Sequence, residues 1–167
     1  MGILKVIQNT DSKGDYLYNA LAYIKRGSKA YNAYRVSPKK AYEQMTTVKK
    51  YFGKTSGNQL MHFMISFNEN MDTVDKCKEA TYEIAKYFGE RFQVCYAIHY
   101  DPNCDENGVV RSLYHLHMIV NSVSYVDGKM FSKGKDDINR FMHYISDIIN
   151  DPFIIVIYAK NNKKYWY

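Results

Sequence analysis

The chain has 167 residues, a formal net charge of +6 at pH 7 and 17 tyrosines. This length predicts one domain around a single core. The lack of a long apolar run and of a secretory signal pattern argues against a membrane or exported protein. The 3 cysteines are odd in number and lack CxxC spacing, so we expect a reduced, cytoplasmic protein rather than a disulfide framework.

The combination of positive charge and tyrosine is suited to binding single-stranded nucleic acid. Each phosphate that a basic residue neutralises releases condensed counterions, and aromatic rings can stack on unpaired bases. A solvated basic surface with tyrosines at strand edges would give the same composition. Composition therefore leaves both interpretations open.

The first part of the chain predicts a strand, a helix and a basic connector. Apolar residues over 3–7 predict the strand, and apolar residues at helical spacing over 16–26 predict the helix, capped by Asp15 or Ser12. Residues 28–59 are polar and rich in lysine. This composition predicts a mobile connector with a short helix around 38–52.

The rest of the chain predicts strands alternating with amphipathic helices. In chain order these are a strand over 59–67, a helix from Asp72-Thr73 to Phe88, a strand over 92–101, a strand over 113–125, a turn over 126–129, a helix over 135–150 and a buried strand over 153–159.

This order of elements predicts an α/β (α+β) sandwich of two or three layers. Its central sheet is expected to be mainly antiparallel, with about five strands and with helices on its faces. Residues 1–160 are expected to form a single domain, and residues 161–167 a frayed basic tail.

The histidines of the run YHLHMIVNSVSY (114–125) are the main functional signal. Successive strand residues point to opposite faces, so His115 and His117 share one face with Ile119 and Asn121. His99 lies near the end of the preceding strand, and consecutive strands joined by a loop are usually antiparallel neighbours. The three imidazoles can therefore converge on one metal ion and leave coordination positions open for a phosphate oxygen.

His62 lies on another predicted strand. A lone histidine on an apolar strand is more often a satisfied core residue than a ligand, but beside the other three His62 is a candidate hydrogen-bond donor to a metal ligand or a candidate fourth ligand. The sequence leaves both roles open.

Four stretches together resemble the conjugative relaxases, or mobilisation nucleases, of the HUH endonuclease superfamily. HLHMIVNSVSYVDGKMF (115–131) resembles their third motif, and AIHYD (97–101) resembles the segment that carries the third histidine. LMHFMISF (60–67) is similar to the His-Φ-x-x-Ser-Phe strand of relaxases from Gram-positive mobile elements, and ALAYIKRGSKA (20–30) resembles their first motif. Two features depart from the pattern: Lys29 is followed by alanine instead of threonine, and family members usually continue well beyond the last strand.

The resemblance implies metal-dependent, site- and strand-specific nicking of DNA at an origin of transfer, with strand transfer. The intermediate would be a 5′-phosphotyrosine, the cofactor Mg²⁺ or Mn²⁺, and the biological role the mobilisation of a plasmid or integrative element in the bacterial cytoplasm. Single-stranded DNA is the expected partner, together with accessory relaxosome and coupling proteins. A monomer is expected, without membrane association.

The resemblance also assigns roles to individual residues. Tyr23 matches the nucleophile, with Tyr18 and Tyr16 as local rivals, and Asp101 is expected to orient a ligand or to act as a base. Phosphate or DNA contacts are expected from Lys25, Arg26, Lys29 and Asn121, although a solvated surface and a strand-ending asparagine are the plainer explanations.

Three alternatives remain. A rolling-circle replication initiator or single-strand transposase would carry its tyrosine after the HxH strand, which points to Tyr144. A relaxase fold kept only for binding DNA would lack activity. A small-substrate phosphohydrolase would be expected to have more carboxylate ligands.

Overall fold

The computed structural model describes residues 2–8, 15–104, 110–111, 114–132 and 134–160. Among these residues, no helix combines the length and apolar character needed to cross a membrane. The expected tail over 161–167 and the alternative cap Ser12 lie outside the described residues. The elements are β1 (Ile3–Gln8), α1 (Tyr16–Lys25), β2 (Ala30–Tyr34), α2 (Ala41–Tyr51), β3 (Leu60–Ser66), α3 (Val74–Gly89), β4 (Val94–Tyr100), β5 (Asn103–Cys104), β6 (Val110–Arg111), β7 (Tyr114–Asn121), α4 (Lys135–Ile149) and β8 (Ile155–Lys160).

Six strands form the central sheet in the order β2-β4-β7-β3-β1-β8. Every neighbouring pair is antiparallel except β1 and β8, which are parallel. Buried side chains of α1 and α2 pack on one face, and those of α3 and α4 pack on the other. The predicted mainly antiparallel α/β sandwich is thus confirmed in its three-layer form, with a mixed sheet.

Strand β2 departs from the sequence pattern, which predicts a connector with one helix over residues 28–59. Ala30–Tyr34 instead pairs antiparallel with β4 at one edge of the sheet. Its residues are half-buried or exposed, so the stretch lacks the apolar alternation by which a strand is recognised. Its pairing partners lie 60 to 68 residues away in the chain.

Strand β8 forms the opposite edge of the sheet, and the prediction of a fully buried strand is wrong. Ile155 and Ile157 are 45% and 38% exposed, whereas Val156, which points to the other face, packs against the α3/α4 core. A continuous apolar run indicates burial only where both faces of a strand are covered. In the described part of the chain, only one face of β8 is covered.

Local sequence signals place the helices. The Asp15 side chain accepts a hydrogen bond from Tyr18 N at 3.1 Å and caps α1, and Thr73 caps α3 by accepting from Lys76 N at 3.3 Å. Helix α4 buries the apolar face that its periodicity predicts, through Ile138, Phe141, Ile145 and Ile149.

The buried carboxylate of Asp151 ties three parts of the fold together. It accepts hydrogen bonds from Gly2 N at 2.6 Å, from Asn68 Nδ2 at 3.1 Å and from Phe153 N at 3.0 Å. Burial by itself would raise the pKa of this carboxyl, but the hydrogen bonds from Phe153, Asn68 and Gly2 together hold it below its ordinary value. The ionised form therefore stabilises the fold.

We expect Asp151→Asn to lower the free energy of unfolding at pH 7 by about 2–4 kcal/mol, since an amide leaves buried N–H donors unsatisfied. A lowered pKa contributes stability above the ordinary aspartate pKa of about 3.9, and this stability is lost as the pH falls through the lower folded-state value. Urea unfolding between pH 2 and 7 should therefore show that the difference in the free energy of unfolding between the wild type and Asp151→Asn becomes smaller in acid. Asp147→Asn, at an exposed position of α4, is the control. A difference in the free energy of unfolding that stays constant with pH would contradict this account.

Candidate metal centre and nucleophile

The register of β4 and β7 brings the three predicted histidines together. His99 and His115 are directly opposed across the two strands, and His117 follows two residues later on the same face. One nitrogen atom from each ring lies within 4.8 Å of the other two. The sheet thus gathers three imidazoles on the face that also carries α1.

This donor set fits a divalent ion. Metal–nitrogen bonds of 2.0–2.1 Å place ligand nitrogens roughly 3–3.5 Å apart, so small side-chain rotations are enough to close the site. Burial lowers the pKa of His117 well below its ordinary value, and the neighbouring His62, His115, His99 and Lys5 lower it further. His117 is therefore neutral near pH 7 and has a lone pair to offer a metal.

Helix α1 fixes the orientation of His99. The ring donates from Nε2 to the carbonyl oxygen of Ile24 at 2.7 Å, which leaves the lone pair of the neutral imidazole on Nδ1. The helix that carries Tyr23 is thereby joined to one of the three histidines. Sequence reasoning missed this contact, because a backbone carbonyl gives no residue-specific signal.

His62 contacts His117 directly. Its Nε2 lies 3.0 Å from His117 Nδ1, and both rings are buried. Burial lowers the pKa of His62 to about 3, so the ring stays neutral and can accept a proton shared by His117. A His117 that donates from Nδ1 has its lone pair on Nε2, as in a metal ligand oriented by a neighbouring group. The geometry supports His62 as this orienting partner.

Tyr23 lies against the histidine cluster. Its ring centroid is 5.4 Å from that of His117, 6.3 Å from that of His62 and 6.4 Å from that of His99, on which it stacks. Burial raises the pKa of its hydroxyl, and the negative charge of Asp101 adds to this effect. A positive charge held by the histidines would act in the opposite direction and favour the phenolate.

Tyr18 and Tyr16, the rival tyrosines of α1, lie away from the position of Tyr23. Tyr18 is 58% exposed, and its ring packs edge-on against Tyr42 at 5.5 Å. It precedes Tyr23 by five residues, which places it about 140° away around the helix. Tyr16 packs at the start of α1 against the α1/α2 core, about 10 Å along the helix from Tyr23 at a rise of 1.5 Å per residue.

Tyr144 is on the opposite face of the sheet from the histidines. It lies on α4, donates from its hydroxyl to the Glu83 carbonyl at 3.0 Å and packs against the Tyr87 ring at 5.1 Å. The structure thus does not bring Tyr144 to the histidine site, as a replication initiator or transposase would require.

Asp101 and the predicted basic residues border the site. The Asp101 carboxylate is exposed and lies 3.7 Å from His115 Nε2. Lys25, Arg26 and Lys29 are exposed at the end of α1 and in the loop that follows. Lys25 extends over the Tyr31 ring at 5.7 Å. Arg26 follows Tyr23 by three residues and therefore lies nearer than Lys25 to the Tyr23 side of the helix.

Asn121 is fully buried, although it shares the histidine face of β7. Its amide donates to Gln93 Oε1 at 3.0 Å and to the Met45 carbonyl at 3.3 Å, and accepts from the buried Lys49 ammonium. Burial lowers the pKa of Lys49 to about 8. The structure therefore brings Asn121 to α2, about 13 Å along the strand from His117, and gives no geometric support to a DNA contact.

Comparison with known proteins finds one family. The family model described as relaxase, MobA/VirD2-like, nuclease domain matches residues 16–151, well over half of the chain. The matched region contains Tyr23, His62 and the three gathered histidines. Searches of the curated proteins and of the solved structures return no match.

Proposed function

Because this chain belongs to the relaxase family, as a MobA/VirD2-like nuclease domain, we propose that it nicks one DNA strand at an origin of transfer through a covalent bond to Tyr23. Family membership supports DNA nicking for mobilisation in general terms, with single-stranded DNA as the partner. The observation that carries the specific proposal is the Tyr23 ring lying 5.4 Å from that of His117 and stacked on that of His99. This arrangement supports Tyr23 as a nucleophile that acts beside a set of metal ligands.

In the proposed reaction, Tyr23 Oη attacks the phosphorus of one phosphodiester. A bond forms between Oη and phosphorus while the bond from phosphorus to the 3′ oxygen of the preceding nucleotide breaks. The phenolic proton passes to the Asp101 carboxylate, directly or through water, and the departing oxygen takes up a proton to become a 3′-OH. The product is a 5′-phosphotyrosine, and the reverse reaction rejoins the strands.

His99, His115 and His117 would hold a divalent ion, Mg²⁺ or Mn²⁺. The chemistry that such an ion supplies is polarisation of a non-bridging phosphate oxygen. The chain's own residues prepare the site: His62 and burial keep His117 neutral and oriented, and the Ile24 carbonyl orients His99. Fixed ligands need no reorganisation when charge develops on the phosphate.

The substrate is proposed to be a single strand, because duplex stacking would shield the scissile phosphate. Lys25, Arg26 and Lys29 follow Tyr23 along the chain, exposed at the end of α1 and in the next loop, and would contact neighbouring phosphates. We further propose that the protein acts as a monomer for a mobile element, together with accessory and coupling proteins.

The proposal is tested by incubating the protein with Mn²⁺ and a panel of single-stranded oligonucleotides from candidate origins of transfer. We expect a DNA–protein adduct that survives denaturing electrophoresis, and peptide mapping that finds the DNA on Tyr23. The same mixture with EDTA is the control and should give no adduct. Measurable DNA and metal binding without an adduct on any oligonucleotide would instead favour a relaxase fold that only binds DNA.

A further inference from the structure

In the part of the chain that the structure describes, α1 and α2 cover only part of the sheet face that carries the histidines. On this face, α1 and α2 pack over β2, β4, β7 and the first residue of β3. Beyond His62, which the Tyr23 ring of α1 contacts, the face continues onto the rest of β3 and onto β1 and β8, and no residue of these parts belongs to the α1/α2 core in the described ranges. Its exposed or half-buried apolar residues, which we call the open floor, are Ile3, Ile7, Met64, Ile155 and Ile157.

Lys5 lies in the middle of the open floor. The strand register places it in one row with Met64 and His117 on one side and Ile157 on the other. Two strand spacings of about 4.8 Å separate the Cα of Lys5 from that of His117. The lysine stem can follow the apolar surface with its ammonium at the end of it.

Lys5 brings a positive charge close to the histidine site, because only Met64 separates it from His117 in the strand register. The three strands of this half of the sheet, ILKVIQ, LMHFMIS and IVIYAK, contain no acidic residue. A positive charge among apolar side chains, continuous with a phosphate-handling site, suits a chain of alternating phosphates and bases.

We propose that Lys5 binds a phosphate of the single-stranded DNA that leaves the histidine site toward β1, while adjacent bases lie on the open floor. This inference rests on the proposed function and deepens it, since it gives the strand a direction across the sheet. Base faces are apolar enough to cover isoleucine side chains, and the phosphate supplies the negative charge. Sequence reasoning missed Lys5, whose signal is a single charge at the centre of an apolar first strand.

The test compares Lys5→Met, Lys5→Arg and Lys78→Met by the fluorescence anisotropy of labelled dT20 at several salt concentrations. Lys78 is an exposed residue of α3, on the other side of the sheet, and serves as the matched control. We expect Lys5→Met to weaken binding about 3- to 10-fold at low salt and to reduce the slope of log K against log salt by about 0.7, the value for one phosphate contact in a single strand. Lys5→Arg and Lys78→Met should bind like the wild type.

Thermal unfolding separates loss of the contact from loss of the fold. Methionine fits an apolar floor, so Lys5→Met should remain folded, with a cooperative unfolding transition above the temperature of the binding assay. If the wild type binds dT20 and Lys5→Met binds it with the affinity and salt slope of Lys78→Met, the role of Lys5 is overturned while the proposed function stands. If the wild type does not bind dT20 at any salt concentration, the proposed function fails, and the role of Lys5 fails with it.

Discussion

Tyr23→Phe should abolish the covalent DNA adduct, with a fall of more than about 1000-fold in its rate of formation. The substitution removes only the oxygen that attacks phosphorus and keeps the ring that lies against His62, His99 and His117. Affinity for single-stranded DNA and the midpoint of thermal unfolding should therefore stay close to those of the wild type. The measurement is the yield of adduct on a denaturing gel over time, with anisotropy for DNA binding.

Three matched variants make this result specific. Tyr18→Phe, Tyr16→Phe and Tyr144→Phe each remove one hydroxyl from positions that the structure separates from the histidines, so each should form the adduct normally. Loss of the adduct in Tyr144→Phe alone would indicate a rolling-circle replication initiator or a single-strand transposase instead. Loss in Tyr16→Phe or Tyr18→Phe alone would assign the nucleophile to the start of α1.

Replacing any one of the three gathered histidines should weaken metal binding and abolish detectable nicking. We expect His117→Ala and His115→Ala each to weaken Mn²⁺ binding by at least about 10-fold, since one of three protein ligands is lost, and to reduce the adduct below detection at micromolar Mn²⁺. Titration calorimetry with Mn²⁺ and the gel assay measure the two effects.

The two variants differ in their structural consequences. His117 is buried and bonded to His62, so His117→Ala is also expected to lower stability. His115 is only partly buried, with 13% of its side chain exposed, so His115→Ala tests the ligand with less effect on the fold. His143→Ala, exposed on α4, is the control. Undiminished Mn²⁺ affinity in both site variants would rule out this cluster as the metal centre.

The sequence was sufficient for what depends on neighbouring residues. Amphipathic periodicity and the caps Asp15 and Thr73 located α1 and α3, and strand alternation put His115 and His117 on one face. These signals are local, since helix and strand periods are read within about fifteen residues. The first-motif resemblance also singled out Tyr23, which the structure brings beside the histidines.

Tertiary structure decided what depends on distant residues. The partly exposed strand β2 forms because β4 offers it an edge to pair with, and β8 is left exposed because one of its faces is uncovered in the described part of the chain. Asn121 looked accessible in sequence, yet it is buried by α2. Secondary-structure propensity cannot predict these features, because the free energy that stabilises an edge strand or a buried amide comes from its partner.

The candidate site, too, was partly predictable from the sequence and partly decided by the tertiary structure. The residue types and their alternation were legible in the sequence, and so was the expectation that His99 lies near His115. The strand order was needed to show that His99 and His115 are directly opposed and that His62 is bonded to His117. The packing of α1 and α4 was needed to show that Tyr23 lies on the histidine face and Tyr144 on the other. Strand alternation fixes which face of its own strand a side chain takes, but only pairing and packing bring side chains from four separate elements to one point.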